Sequence, residues 1–197
     1  MSQNIEKVAV LGAGTMGAQI AGHLANAGIP SCLFDISQEL AEKGVGILTT
    51  LKPAPLYKPK NASLIEACNY DEHLDKVKDA DWIVEAVAEN LDIKHKVYNN
   101  IADYIKNTAI ISSNTSGIPL GDLTQVMSDD VKRRFLITHF FNPPRYMRLL
   151  ELVKGPDTSD DIYNDMAIFG ENVLGKGIVH AKDTPNFIGN RIGVHGG

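Results

Sequence analysis

Apolar residues in this chain occur either in short unbroken runs or at helical spacing, and the two kinds alternate. Residues 7–11 (KVAVL) form a run stopped by Gly12, the pattern of a strand buried on both faces of a parallel sheet. Directly after it, residues 16–27 put Met16, Ile20 and Leu24 on one helical face with small Ala18, Ala21, Gly22 and Ala25 between them. Gly28 ends that helix. A second strand is expected at 31–35 (SCLFD), and strand, helix, strand in so few residues is a right-handed βαβ unit. Runs at 82–87 (WIVEAV), 109–113 (AIISS) and 135–140 (FLITHF) predict further strands, separated by amphipathic stretches at 91–105 and 120–127. The alternation predicts an α/β protein with an open, doubly wound, mostly parallel sheet.

Two segments depart from this rhythm. Residues 48–62 (LTTLKPAPLYKPKNA) hold three prolines, which rule out regular helix or central strand, and are read as a surface loop. After Phe140 the pattern predicts a strand at 148–153 (RLLELV), a helix at 159–174 and a short strand at 178–181, and Pro185 opens a new helical pattern. In that last pattern Phe187, Ile188, Ile192 and Val194 make an apolar stripe with no later segment to pack on it. The expected division is therefore a first domain over 1–184 and the start of a second over 185–197.

Composition narrows the setting. With 197 residues, 44% hydrophobic and 22% charged, the chain can build one sizeable core. A net charge of -5 without a Lys/Arg block gives no footprint for a nucleic acid backbone, so a polyphosphate ligand must be held by local geometry. Cys32 and Cys68 are far apart in sequence and in no C-x-x-C arrangement, which suits free thiols in a reducing, cytoplasmic compartment. No metal-ligand motif is read. Neither a targeting signal nor a membrane span is read, so no membrane insertion is expected.

The chemistry begins at GAGTMG. Gly12, Gly14 and Gly17, with Thr15 and Met16 among them, form a G-x-G-x-x-G motif that follows a buried strand and opens a helix. Asp35 ends the next strand 23 positions after Gly12, near the ~20 of the dinucleotide fingerprint. In that fingerprint the first glycine allows a tight turn, the second lets backbone approach a pyrophosphate, and the third lets helix pack on strand, while helix N–H groups hold the phosphates. The Asp35 carboxylate suits ribose hydroxyls and would repel a 2′-phosphate, and Ile36 and Ser37 offer no arginine to neutralise one. NAD is the expected cofactor.

A second constellation lies further on. His139 is near the end of FLITHF and Glu151 lies in RLLELV. If NPPRYM turns the chain and these strands pair antiparallel, the two residues meet across the ladder. A buried carboxylate on one imidazole nitrogen fixes the tautomer and stabilises the imidazolium, leaving the other nitrogen as a base toward a hydroxyl. Ser116 and Asn114, by contrast, have an ordinary alternative role as caps of the helix near Pro119.

The motifs GAGTMGAQIA, VEAVAENLDIK, SSNTSGIPL, THFFNPPRYMRLLELV and KDTPNFIGNR occur in this order, and on them the chain resembles the 3-hydroxyacyl-CoA dehydrogenases of fatty acid β-oxidation. The resemblance covers essentially the whole length and implies a Rossmann-like fold. It also implies NAD-dependent oxidation of L-3-hydroxyacyl-CoA to 3-ketoacyl-CoA, with acyl-CoA as substrate. It places the general base at His139, its orienting partner at Glu151, and the groups that hold the reacting oxygen at Ser116 and Asn190. Glu89 and Lys94 fall near the nicotinamide ribose and pyrophosphate, and Asn114, Ser116 and Asn142 join the cofactor contacts. KPAPLYKPKNAS, ENVLGKG and KDTPNFIGNRIG are similar to bacterial multifunctional proteins with a dehydrogenase followed by an enoyl-CoA hydratase.

Two departures follow from the same resemblance. The stretch 38–55 is shorter than the helical arm that the family inserts there and associates with CoA, and the family's C-terminal helical domain, through which its members dimerise, would begin where this sequence ends. The alternatives are a non-catalytic NAD-binding protein of the same fold and a β-hydroxyacid or sugar-acid dehydrogenase. Those dehydrogenases rely on a lysine or cysteine at the reacting centre, where this chain offers a His/Glu pair.

Overall fold

The computed structural model describes residues 4–183. Eight strands form one sheet: β1 Val8–Leu11, β2 Ser31–Asp35, β3 Ile65–Asn69, β4 Trp82–Glu85, β5 Ile110–Ser113, β6 Phe135–Phe140, β7 Leu149–Lys154 and β8 Gly177–Ala181. Their spatial order is β3-β2-β1-β4-β5-β6-β7-β8. Pairings from β3 through to β6 are parallel, β7 runs antiparallel to β6, and β8 is parallel to β7. The first six strands carry the doubly wound order, with its switch point between β1 and β4, where such sheets open a crevice beyond the carboxyl ends of their strands.

The helices are α1 Thr15–Asn26, α2 Gln38–Ile47, α3 Leu91–Ile101, α4 Leu120–Leu123, α5 Asp129–Arg133 and α6 Asp160–Asn172. One face of the sheet packs on α1 and α6 through Ile20, Leu24, Met166 and Phe169. The other packs on α3 through Val97, Tyr98 and Ile101. Strands β1, β4, β5 and β6 are buried throughout, because helices cover both of their faces, which is why they appear in the sequence as unbroken apolar runs.

Several boundaries moved inward by a residue or two, and three elements were not anticipated. Helix α2 buries only Ala41 and Gly44 and contains two glycines, so its periodicity is weak, although Ser37 caps it by accepting from the Leu40 N–H. Strand β3 is an edge strand with a mixed burial pattern. Helix α5 is five residues long, capped by Ser128. The stretch 120–127, read as one amphipathic element, is a single α-helical turn followed by 3-10 turn Thr124–Val126.

The expected surface loop at 48–62 needs a correction. Its end is a 3-10 helix, Pro59–Leu64, and Leu48 and Leu56 are core residues, packed over Gly22 of α1 where a larger side chain would meet them. Arg145 straps the loop down by donating to the carbonyls of Ala54 and Leu56 while lying over the Tyr57 ring. No helix among the described residues is long and apolar enough to cross a membrane.

Candidate active site

The glycine motif forms the turn from β1 into α1. Gly12 has φ +108°, donates its N–H to the Phe34 carbonyl at 2.8 Å, and sits so close to β4 that a Cβ would lie 2.6 Å from the Ala86 oxygen. A Cβ on Gly17 would lie 1.8 Å from the Gly12 oxygen, so the helix reaches the turn only with glycine there. Gly14 differs: nothing approaches its missing Cβ within 4 Å, and it is the N-cap of α1 with no side-chain cap and no acidic residue in the first turn. The helix thus presents uncapped N–H groups and its positive end to an open space. An open cradle at Gly14, walled by two close-packed glycines, fits a dinucleotide pyrophosphate.

Asp35 lies against this turn. One of its oxygens accepts from the Ala13 N–H at 2.9 Å and the other from the Ile36 N–H at 2.7 Å, so the carboxylate is oriented by backbone while each oxygen retains a second acceptor site. Asp35, Gly12, Gly14, Thr15 and Met16 line a cleft of about 480 Å³. An adjoining cleft of about 420 Å³ is lined by Met16, Glu89, Lys94, Asn114, Ser116, His139 and Asn142. Met16, Ala86 and Val87 border both, so the two form one groove across the switch point. Gly17 lies buried behind the groove. Asn190 and the helix expected from Pro185 lie outside the described residues.

Antiparallel pairing of β6 and β7 sets His139 opposite Glu151. The Nδ1 atom lies 3.7 Å from Glu151 Oε1, with Glu151 almost wholly buried and His139 nearly so. Burial lowers the imidazole pKa below its ordinary value, and the Glu151 charge opposes that shift, with Glu89 adding to the opposition. His139 is therefore held neutral near neutral pH, with a counter-charge in place for the imidazolium. The Phe141 ring meets the imidazole edge at 4.8 Å between centroids.

Lys94, at the N-terminal end of α3, is a buried charge. It is 1% exposed, and its Nζ donates to Glu85 Oε2 at 2.5 Å and to the Val87 carbonyl at 3.3 Å. Glu85 is fully buried and also accepts from Tyr98 Oη and Ser113 Oγ, each at 2.6 Å, and from the Val87 N–H at 3.0 Å. Burial and the Glu85 charge raise the Tyr98 pKa well above the tyrosine range, so its hydroxyl stays a donor. Sequence reasoning missed Glu85. The signal was an acid inside WIVEAV, where every neighbour is apolar.

Ser116 and Asn114 do not cap α4. The N-cap is Pro119 without a side-chain bond, and the Leu120 N–H is taken by Asp183. Asn114 instead accepts from the Phe140 N–H at 2.8 Å, joining β5 to the strand of His139, while Thr115, also missed, donates to Glu89 and accepts from the Ile118 N–H. The Ser116 N–H faces Glu89 at 3.4 Å, and Asn142 accepts from Gln19 Nε2 at 3.3 Å. Of the residues read as site residues, the groove thus unites all but Gly17 and Glu151, which stand behind it, and Asn190.

The NAD binding domain of 3-hydroxyacyl-CoA dehydrogenase matches residues 7–184. The chain is 47% identical over 98% of its length to a probable 3-hydroxyacyl-CoA dehydrogenase of Deinococcus radiodurans and 46% identical over its full length to a protein so described in Bacillus subtilis. It spans 58% and 28% of those two proteins. The crystal structure of (S)-3-hydroxybutyryl-CoA dehydrogenase PaaH1 from Ralstonia eutropha superposes with a TM-score of 0.81 at 34% identity, covering 96% of this chain and 68% of that one. A pyrophosphate cradle, an acid at the end of β2 and a doubly wound sheet are what an NAD site requires, and the chain belongs to the 3-hydroxyacyl-CoA dehydrogenase family, whose NAD-binding domain it carries with NAD as cofactor.

Proposed function

We propose that this domain serves an L-3-hydroxyacyl-CoA dehydrogenase that oxidises 3-hydroxyacyl-CoA to 3-ketoacyl-CoA. The observation that carries the reading is a buried His–Glu pair opening into the same groove as the dinucleotide cradle. Gly12, Gly14, Thr15, Met16 and Gly17 form the cradle for the pyrophosphate, and Asp35 receives the adenosine ribose. Glu89, Lys94, Asn114 and Asn142 border the nicotinamide end. Bound there, NAD supplies the hydride acceptor that oxidation of a secondary alcohol needs.

The chain's own part is the proton. Glu151 orients His139 through Nδ1, which leaves Nε2 as the atom that takes the substrate hydroxyl proton, and the Glu151 charge stabilises the imidazolium so formed. Ser116 donates to the reacting oxygen, and Asn190 is assigned to the same oxygen from its motif. The Phe141 ring packs against the imidazole and helps to fix its orientation.

Two measurements on a protein of the relatives' length carrying these residues test the reading. It should bind NADH and reduce acetoacetyl-CoA, and His139→Gln should lose roughly 10²–10⁴-fold in turnover, the usual contribution of a positioned base, while NADH binding is unchanged. Equal turnover in the variant removes His139 from the mechanism; absence of NADH binding removes the groove assignment itself.

A further inference from the structure

Cys32 and Cys68 are 36 positions apart, yet parallel pairing of β2 and β3 brings them to the same face of adjacent strands. Glu66, also on β3, pairs with Cys32 in register, so the three side chains converge at the sheet edge. Their ligand atoms, two Sγ and one carboxylate oxygen, all lie within 4.8 Å of one another, with Cys32 Sγ 3.7 Å from Glu66 Oε2. Nothing in the proposed dehydrogenase chemistry uses this cluster, which lies on strands flanking the groove rather than in it.

We propose that Cys32, Cys68 and Glu66 form a binding site for a thiophilic d¹⁰ divalent cation, of the Zn²⁺ or Cd²⁺ class, at the β2–β3 edge of the sheet. Two thiolates and one carboxylate with an open fourth position for water are a tetrahedral zinc-type donor set. Ligand atoms on one such centre stand about 3.6–3.8 Å apart, given metal–sulfur bonds near 2.3 Å and metal–oxygen bonds near 2.1 Å. The Cys32–Glu66 pair already has that separation, and the remaining distances need to close by about 1 Å or less.

A disulfide is a poorer fit to the same pair. Cys32 sits opposite Glu66 and Cys68 opposite Phe34, so the cysteines are diagonal neighbours, whose Cα atoms are typically ~7–8 Å apart, against the usual ~4.4–6.8 Å across a disulfide. An ion spans a gap that a direct bond does not. The carboxylate offers a path in: its side chain is 50% exposed, and Lys76 holds only its other oxygen, Oε1. Binding releases the thiol protons to solvent and fastens edge strand β3, the one strand of the cofactor half with a single neighbour, to β2.

The test is titration of the reduced chain with Cd²⁺ under anaerobic conditions, read by the ultraviolet thiolate-to-cadmium charge-transfer band and by thermal unfolding. A band saturating at one ion per chain, with a rise in Tm, is expected. Cys32→Ser and Cys68→Ser should each abolish it. Glu66→Gln, at an exposed position where folding is retained, should weaken the ion by about tenfold or more, in keeping with losses seen on removing groups that support a metal. No band in the parent chain, oxidation to a disulfide in place of metal uptake, or equal affinity in Glu66→Gln overturns the site.

Discussion

Among the residues lining the groove, His139 and Lys94 are each paired with a buried glutamate, Glu151 on β7 and Glu85 on β4. For His139 the competing influences have opposite signs: burial lowers its pKa and Glu151 raises it. Replacing Glu151 by Gln removes the opposition and should move the His139 titration to lower pH, as followed by NMR of the imidazole; an unchanged or raised pKa refutes the pairing. Lys94 and Glu85 are both buried, and removal of one partner strands the other charge away from water. Lys94→Met should cost about 3–5 kcal/mol in urea unfolding, the range for breaking a buried pair, whereas a loss under about 1 kcal/mol would mean that Glu85 is held by Tyr98 and Ser113 without the lysine.

Between elements, the turn from β1 into α1 divides labour among its glycines. Gly17 faces the Gly12 carbonyl and Gly14 faces open space. Gly17→Ala should therefore lift α1 from the strand and destabilise the domain by about 1–3 kcal/mol or more, as overpacking does. Gly14→Ala should leave stability nearly unchanged and weaken NADH binding, because its methyl group enters the space where backbone meets the pyrophosphate. Denaturation midpoints and NADH titrations of both variants separate the two roles, and equal effects on stability would contradict the geometry. The same logic explains why the element order was readable here while α2 and β3 were not. The motif glycines sit between strongly patterned neighbours, whereas α2 has two buried positions and β3 borders solvent on one edge.

Across the molecule, the helix layer on one face is tied together at His23, in the last turn of α1, whose Nε2 donates to the Leu174 carbonyl beyond α6 at 3.1 Å. Burial first, then the charge of Lys176, lowers its pKa to about 4. A folded-state pKa below the unfolded value of about 6.5 means that the unfolded chain takes up the proton first. Stability from this group is thus complete above about pH 6.5 and is lost as pH falls toward 4; by pH 4.5 the loss is about 2–3 kcal/mol. His139, also lowered, acts in the same direction. Urea unfolding at pH 7 and pH 4.5 should show this loss, and His23→Gln should reduce it; an identical pH dependence in the variant would exclude His23 as its source.

The sequence by itself determined the fold class, five of the six strands of the parallel half, the glycine cradle with Asp35, and the meeting of His139 with Glu151. Each follows from local rules: unbroken apolar runs for strands covered on both faces, a motif held within one βαβ unit, and equal distances from one turn. Tertiary structure alone decided what depends on which strands become neighbours. Parallel crossover connections let residues far apart in sequence meet without any periodic trace, as with Asn114 and Phe140, and Cys32 and Cys68. It also decided that Leu48 and Leu56 of a proline-rich loop belong to the core, because small Gly22 on α1 leaves room that only the assembled helix layer reveals.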